Sequence, residues 1–445
     1  MSLTPKLIKV IEVSRATSNL KQIRGFSIDN PKLESWSSTY TTVINGWVLG
    51  QSIPVSAVLL VNDKKNEVIK RTAVHLQRPD IAKIYPDISE AKNCGFSITV
   101  SVLGMPIDVK LHLQAVLQNQ SKVDLGHIRL QRNDTLHCDS EPKLQPLMIT
   151  SLGRSGSTWL MHVLTEHPNI IIHREYPYET HAAKYWIYSL FKVLSEPANY
   201  LNPNAPNQHL SGLNIQWIRG QLTQDNWFNQ WFTHSYTKQI ATFCQQSTDA
   251  FYTQVANRQG QMMTQPEQKL TYFAEKFGPW QSTAELCYEL YPKAREIILV
   301  RDFRDMLCSM QIFSEQRGVK DFGLTATTTD LQAINQIKHR AKRLLDYWQK
   351  RAEQAHLVQY ENLVLHSNET FQKILDYLSL ESNSSMVKKM LKASSKDTRE
   401  MKEHRTSNNP KKSIGRWQQD LNDSMKALCQ EHLAEELEAF GYDTK

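Results

Sequence analysis

Two stretches of this chain concentrate groups that grip an anion. In the first, Gly153-Arg154-Ser155-Gly156-Ser157-Thr158 follows the apolar run Leu147–Ile149 and precedes the apolar-periodic Leu160, Val163 and Leu164. That pattern reads as a buried strand, a tight loop and a helix start. Small residues let backbone N–H groups come close to an anion, and a helix opening around Ser157 adds unpaired N–H groups and a positive dipole end. Ser157 and Thr158 offer hydroxyls, and Arg154 can fork onto two anionic oxygens. In the second stretch, Arg301 closes the apolar strand Glu296–Val300 and Ser309 follows eight residues later. About two turns into a helix, Ser309 can face back toward Arg301 and share an anion with it. Taken singly, an ordinary strand-to-helix turn accounts for the first stretch and an internal Arg301–Asp302 ion pair for the second. Neither is a Walker A loop, which needs a lysine directly before the hydroxyl residue.

The elements that must position these groups can be read around them. After the first helix, His167-Pro168 leads to Ile170-Ile171-Ile172, a second buried strand that makes a βαβ unit with the first. It ends in His173-Arg174-Glu175-Tyr176-Pro177-Tyr178-Glu179. Ligands of an open parallel sheet bind at the carboxyl ends of its strands, so these residues should border the same crevice as the loop. Residues 176–270 read as a helical insertion on the substrate side, with a loop at 197–207. Trp186, Trp217, Trp227, Trp231 and Trp280 are half of the chain's ten tryptophans; they offer aromatic faces to a substrate or pack the helices together. Leu286–Tyr291 reads as a helix, and Leu357–Leu363 as a short strand running into a loop. Ser367–Leu378 and Ser385–Ala393 read as helices, residues 404–417 as a polar basic loop, and Gln418–Phe440 as a closing helix.

Residues 1–135 have a different character. Strand-like runs at Thr42–Leu49, Val55–Val61, Glu67–Leu76, Gly95–Leu103, Val109–Leu117 and Val123–Leu130, separated by turn residues, predict an all-β sandwich. Trp36 and Trp47 are core residues of such a module or sugar-binding faces. Residues 136–146 read as a linker into a second domain at 147–445. With 52 basic and 45 acidic residues the formal charge is +7, enough to favour small anions and too scattered to argue for nucleic acid. Six widely spaced cysteines form no CxxC or Cys/His cluster, which points away from zinc and disulfides and toward a reducing compartment. No run approaches the roughly 18 apolar residues of a membrane span. A soluble, cytoplasmic protein is expected.

Taken together, the catalytic region resembles the sulfotransferases that use 3′-phosphoadenosine 5′-phosphosulfate (PAPS), most of all their carbohydrate and tyrosylprotein branch. Gly153–Thr158 resembles the 5′-phosphosulfate loop, often written PRSGTT. Val300–Asp305 with Ser309 resembles the 3′-phosphate motif, Tyr360–His366 the YE-x-LVLHP segment, and Ser413–Trp417 the C-terminal loop that closes on the nucleotide. The resemblance implies a P-loop-like three-layer α/β domain with a parallel sheet, a PAPS donor released as PAP, and no metal. It implies that Arg154, Ser155, Gly156, Ser157 and Thr158 hold the 5′-phosphosulfate. Arg301 and Ser309, helped by Tyr360 and Arg416, would hold the 3′-phosphate. Lys276 would stand by the transferred group, as would Thr406 and Ser407. Glu175 would be the catalytic base, with His173 as runner-up and Glu179 and His181 behind. Phe313 occupies a position where some relatives carry a further phosphate-binding arginine, for which Arg317 is a substitute. The implied acceptor bears a hydroxyl, most naturally on a sugar or polysaccharide. A P-loop kinase or NTPase and a non-catalytic scaffold are the competing readings; the missing loop lysine weighs against the first.

Overall fold

The computed structural model describes residues 6–17, 20–37, 40–63, 68–133, 135–136, 138, 141–195, 235, 237–260, 271–279, 281–318, 329–395, 401–402, 406–407 and 409–444. The described residues divide into two compact units, one within 1–140 and 187–243, the other within 141–186 and 244–445.

In the first unit, the described residues up to 138 are all-β apart from short helical turns. Its strands are β1 (Ile8–Arg15), β2 (Ile23–Asn30), β3 (Trp36–Ser37), β4 (Thr41–Gly50), β5 (Val55–Val61), β6 (Val68–Ala73), β7 (Gly95–Ser101), β8 (Asp108–Leu117) and β9 (Lys122–Arg132). They form a six-stranded sheet in the order β3-β1-β9-β8-β5-β6 and a three-stranded sheet β2-β4-β7, all with antiparallel pairing. The six expected strands are present. Three more, β1, β2 and the two-residue β3, precede them, and the helix Pro79–Ile84 was not expected. In β1 the alternation is broken by the consecutive apolar pair Val10-Ile11, where the register shifts, and its partner β9 lies over a hundred residues away, Ile8 facing Arg132. Tertiary pairing rather than local pattern makes it a strand. Trp36 is partly exposed with the Lys6 ammonium 5.0 Å from its ring centroid. Trp47 packs against Tyr85 beside the buried Leu49 and Ile81.

The second unit is built on a parallel sheet of β10 (Gln145–Ser151), β11 (Ile170–Ile171), β12 (Tyr272–Phe277), β13 (Arg295–Val300) and β14 (His356–Gln359), in the order β11-β12-β10-β13-β14. Parallel strands are buried on both faces, so they carry near-continuous apolar runs. On one face Leu147, Ile149, Tyr272, Ala274, Ile297 and Leu299 pack against Leu160, Val163 and Leu164 of the Ser157–Leu164 helix. Phe371, Ile374 and Met390 of the helices Ser367–Tyr377 and Ser384–Ala393 complete that core. Burying side chains of this size contributes roughly 1.5–3 kcal/mol each. On the other face the Thr237–Arg258 helix stacks Tyr252 on Phe273, with ring centroids 4.5 Å apart. There too Tyr347 of the Asp330–Gln349 helix donates to the buried Glu296 at 2.6 Å. Helices therefore cover both faces, giving three layers.

Three sequence expectations change here. The strand at Ile170 pairs with β12, not with β10, because β12 lies between them. That strand was not foreseen: Glu275 and Lys276 interrupt its apolar pattern, yet all six of its residues are buried. The strand expected over Leu357–Leu363 ends at Gln359, and Tyr360 opens the short helix Tyr360–Leu365. The closing helix is split into Trp417–Asp420 and Asp423–Ala439, the second capped by Asn422, whose side chain accepts from the Met425 N–H at 2.8 Å. Most of the tryptophan-rich insertion, including Trp217, Trp227, Trp231 and Trp280, lies outside the described residues.

Candidate active site

The carboxyl ends of β10, β12 and β13 lie side by side, because Ile149 is in register with both Lys276 and Ile297. The loop after β10 turns through Arg154 at φ +68° and Gly156 at φ +91°. Gly156 ends the loop as the N-cap of the Ser157–Leu164 helix. Only glycine fits there: an added Cβ would run into Tyr360, 2.7 Å from its Cε2 and closer still to Cδ2. The Ser155 hydroxyl donates back to the Leu152 carbonyl at 2.8 Å, bracing the turn. Glycine supplies no side chain to cap this helix, so its first N–H groups and positive dipole end face the cleft.

Arg154 and Arg301 belong to one site. Arg301 is buried, and its Nη1 donates to the Arg154 carbonyl at 3.1 Å and its Nη2 to the Ser413 carbonyl at 2.7 Å. Its guanidinium lies 4.5 Å from the Tyr360 ring centroid. Its Nε is buried with no hydrogen-bond partner. Arg154 Nε donates to Ser309 Oγ at 3.2 Å, and that hydroxyl meets Thr406 Oγ1 at 3.1 Å. Phe313, where an arginine had been looked for, places its ring centroid 4.4 Å from the Arg154 guanidinium. It supports one arginine instead of supplying another. The side chain of Arg317 lies outside the described residues.

The C-terminal loop is tied to these groups by a carboxylate that sequence reasoning missed. Asp305 is fully buried and accepts the backbone N–H groups of Gly415 at 2.7 Å and Trp417 at 3.0 Å; burial raises its pKa above the ordinary range. Its only sequence signal is an acid in the first turn of the Phe303–Arg317 helix, which a favourable dipole alone explains. Ser413, the first residue of the closing loop, joins the Tyr360 hydroxyl at 3.1 Å. Arg416 is engaged within the C-terminal segment: its Nε donates to Asp420 at 2.6 Å and its Nη1 to the Thr406 carbonyl at 3.2 Å. The Ser407 hydroxyl donates to the Asn409 carbonyl at 2.8 Å.

Lys276 approaches from β12 on the same side as the loop helix. Its Nζ donates to Thr158 Oγ1 at 2.9 Å, the Pro177 carbonyl at 2.7 Å and Glu179 Oε1 at 3.2 Å. Burial lowers its pKa, and Glu179 opposes that shift. The acids and histidines after β11 divide sharply. The side chain of Glu175 is 79% exposed, and its carboxylate is 3.9 Å from His173 Nδ1; it does not line the cleft. His173 Nδ1 pairs with Thr180 Oγ1 at 2.9 Å. Glu179, 54% exposed, is the carboxylate held beside the loop through Lys276. His181 has a buried Nδ1 without a partner, and burial lowers its pKa.

Arg154, Ser157, Thr158, Arg301, Ser309 and Thr406 border a cleft of about 880 Å³, open solvent at its mouth included. Its lining also includes the apolar and aromatic side chains of Trp159, Tyr176, Val364 and Met401. Such a cleft can hold a polyanion with an apolar ring attached. Among the described residues no group of histidines, cysteines and acids could hold a metal ion, and no helix is long and apolar enough to cross a membrane.

The strand, anion loop and helix, with a second arginine at the neighbouring strand tip, define a nucleotide-type transferase domain. Residues 146–384 match the sulfotransferase family, more than half of the chain, and the chain belongs to that family. Among solved structures it is similar to the sulfotransferase domain of the Synechococcus PCC 7002 olefin synthase, at 18% identity over 70% of this chain and 99% of that one, TM-score 0.38. It is also similar to sulfotransferase STF9 from Mycobacterium avium (15% identity, 68% and 78% covered, TM-score 0.34). A third is mouse sulfotransferase SULT7A1 complexed with PAP (12% identity, 66% and 85% covered, TM-score 0.34). A search of curated proteins finds no match.

Proposed function

We propose that this sulfotransferase uses PAPS as donor and passes its sulfuryl group to a hydroxyl, most naturally on a sugar. The observation that carries the reading is the convergence of Arg154, Arg301 and Lys276 with an uncapped helix N-terminus at three adjacent strand ends. The buried, unpartnered Nε of Arg301 is a donor still seeking an anion, and an orphaned buried donor is costly without one. Arg301 and Ser309 suit the 3′-phosphate. Arg154, Ser157, Thr158 and the helix N-terminus suit the 5′-phosphosulfate, and Trp159 with Val364 and Met401 offers the adenine an apolar wall. Tyr360 acts by stacking on Arg301, and Arg416 by tying the closing loop.

PAPS supplies an activated sulfuryl group: the acceptor oxygen forms the new S–O bond as the bond to the bridging phosphate oxygen breaks. Negative charge then builds on the departing PAP, where Lys276, held at Thr158, and Arg154 stabilise it. The acceptor's proton needs a base within reach of the attacking oxygen. The resemblance names Glu175; proximity to Lys276 and the loop favours Glu179, and both stand on the turn after β11. The sugar acceptor rests on the motif resemblance to the carbohydrate branch and on the tryptophan-rich sequence of residues 176–280. Six cysteines that form no disulfide suit the cytoplasm. Transfer of ³⁵S from labelled PAPS into a cell extract tests the activity and reveals the product class. PAP should bind the purified chain in calorimetry and Mg-ATP should not; the reverse result would turn the reading toward a kinase.

A further inference from the structure

Strand β12 carries two consecutive ionisable residues, and Lys276 is the one turned toward the anion loop, where it meets Thr158. Alternation along the strand sends Glu275 to the opposite face, where its carboxylate is 1% exposed. There it accepts the backbone N–H groups of Ala183 at 2.8 Å and Lys184 at 3.1 Å, the first turn of the Ala182–Ser195 helix. It also accepts the Tyr252 hydroxyl, which lies 3.4 Å from the Thr180 carbonyl. Lys276 meanwhile donates to the Pro177 carbonyl and to Glu179. Residues 177–184 wrap around the end of β12 and are strapped to it at both ends by neighbouring side chains.

We propose that Glu275 is a positioning residue for the acceptor side of the site: by capping the Ala182–Ser195 helix it holds residues 177–184, and with them Glu179, at the end of β12 beside Lys276. The proposal rests on the sulfotransfer reading for the meaning of "acceptor side", though not for the geometry. A carboxylate at a helix N-terminus is favourable, and three donors satisfy it, as burial demands. The site is still a costly one for an acid, since burial pushes the Glu275 carboxyl up to about 7. The ionisable groups around it are Tyr252, Lys184, Cys287 and Tyr291. Of these only Lys184 is a cation. Glu275 does not line the cleft, so its contribution to chemistry runs through the segment it holds.

The test compares the full chain with Glu275→Gln, which keeps an oxygen able to accept from the helix, and Glu275→Ala, which does not. In hydrogen–deuterium exchange, peptides covering 177–186 should exchange at least tenfold faster in Glu275→Ala and within threefold of wild type in Glu275→Gln. Peptides covering 153–165 should be unchanged in both. With ³⁵S-labelled PAPS and 4-nitrophenol as probe acceptor, Glu275→Ala should lower kcat/KM for the phenol at least tenfold while PAP affinity by calorimetry stays within twofold. Glu275→Gln should retain a third or more. Unchanged exchange at 183–184 in Glu275→Ala, or equal losses in the two variants, overturns the proposal. Should Glu275→Ala not fold, Glu275→Asp, one methylene too short to reach both N–H groups, takes its place. A wild-type chain that does not bind PAP sinks the sulfotransfer reading instead, and the exchange measurement still decides the role of Glu275.

Discussion

Replacing Gly156 by alanine is the smallest change that should damage the anion site, and its size can be worked out. An alanine at φ +91° meets left-handed strain of roughly 1–2 kcal/mol. Its Cβ also overlaps the Tyr360 ring, so the ring or the loop must move. If the ring moves, the Tyr360–Ser413 hydrogen bond, worth about 1 kcal/mol, is lost. The stacking on Arg301, worth about 0.5–1 kcal/mol, goes with it. If the loop moves instead, Arg154 and the helix N–H groups leave the cleft. Either way about 3 kcal/mol is at stake, and since each 1.4 kcal/mol is tenfold in affinity, PAP binding should weaken by at least tenfold. Calorimetry with PAP and urea unfolding measure the two parts. Tyr360→Ala removes the obstacle but not the strain, so the double variant should be less than additive by about 1–2 kcal/mol. A Gly156→Ala protein that binds PAP within twofold of wild type would refute the packing argument.

Further outcomes are expected. Arg301→Ala should weaken PAP binding by roughly a hundredfold, as losing a charge-assisted contact of about 3 kcal/mol implies, while ³⁵S transfer at saturating PAPS falls much less. Glu179→Gln should abolish turnover with PAP affinity nearly intact; if Glu175→Gln does so instead, the base is the one the family resemblance names. Asp305→Ala strands the N–H groups of Gly415 and Trp417. It should lower stability by about 1–3 kcal/mol and speed proteolysis within residues 406–417. Glu275 ionises near the ordinary 4.5 when unfolded and at about 7 when folded, so its contribution to stability is full below pH 4.5 and is lost as pH rises to 7. The stability of wild type relative to Glu275→Gln, from urea midpoints, should fall across that window and level off above it; a constant difference would show that Glu275 does not titrate there.

Local patterns made much of the α/β unit legible. The loop and helix after β10 and the Arg301–Ser309 step were readable because strand, turn and helix periods change within a few residues. The strand β12 was not, since Glu275 and Lys276 look like surface charges in a one-dimensional pattern. They are buried because one caps a helix across the sheet and the other is held between Thr158, the Pro177 carbonyl and Glu179. Tyr360 read as a strand residue, whereas it begins a helix that lays its ring on Gly156. Glu175 drew attention through its place in the motif, but the turn after β11 leaves it exposed and brings Glu179 to Lys276.

By itself the sequence determined the chemistry at hand: which stretches present arginines, hydroxyls and an open helix end, and that these are anion-binding groups on a parallel sheet. Those properties are set by neighbours a few residues apart, through backbone preference and side-chain type. Only the tertiary structure decided which groups lie side by side, that Arg301 has a buried Nε without a hydrogen-bond partner, which acid pairs with Lys276 and which is spent on a helix cap. Such choices depend on contacts between segments some hundred or more residues apart, and on burial, which makes a polar atom's partner obligatory without saying in advance where along the chain it will be found.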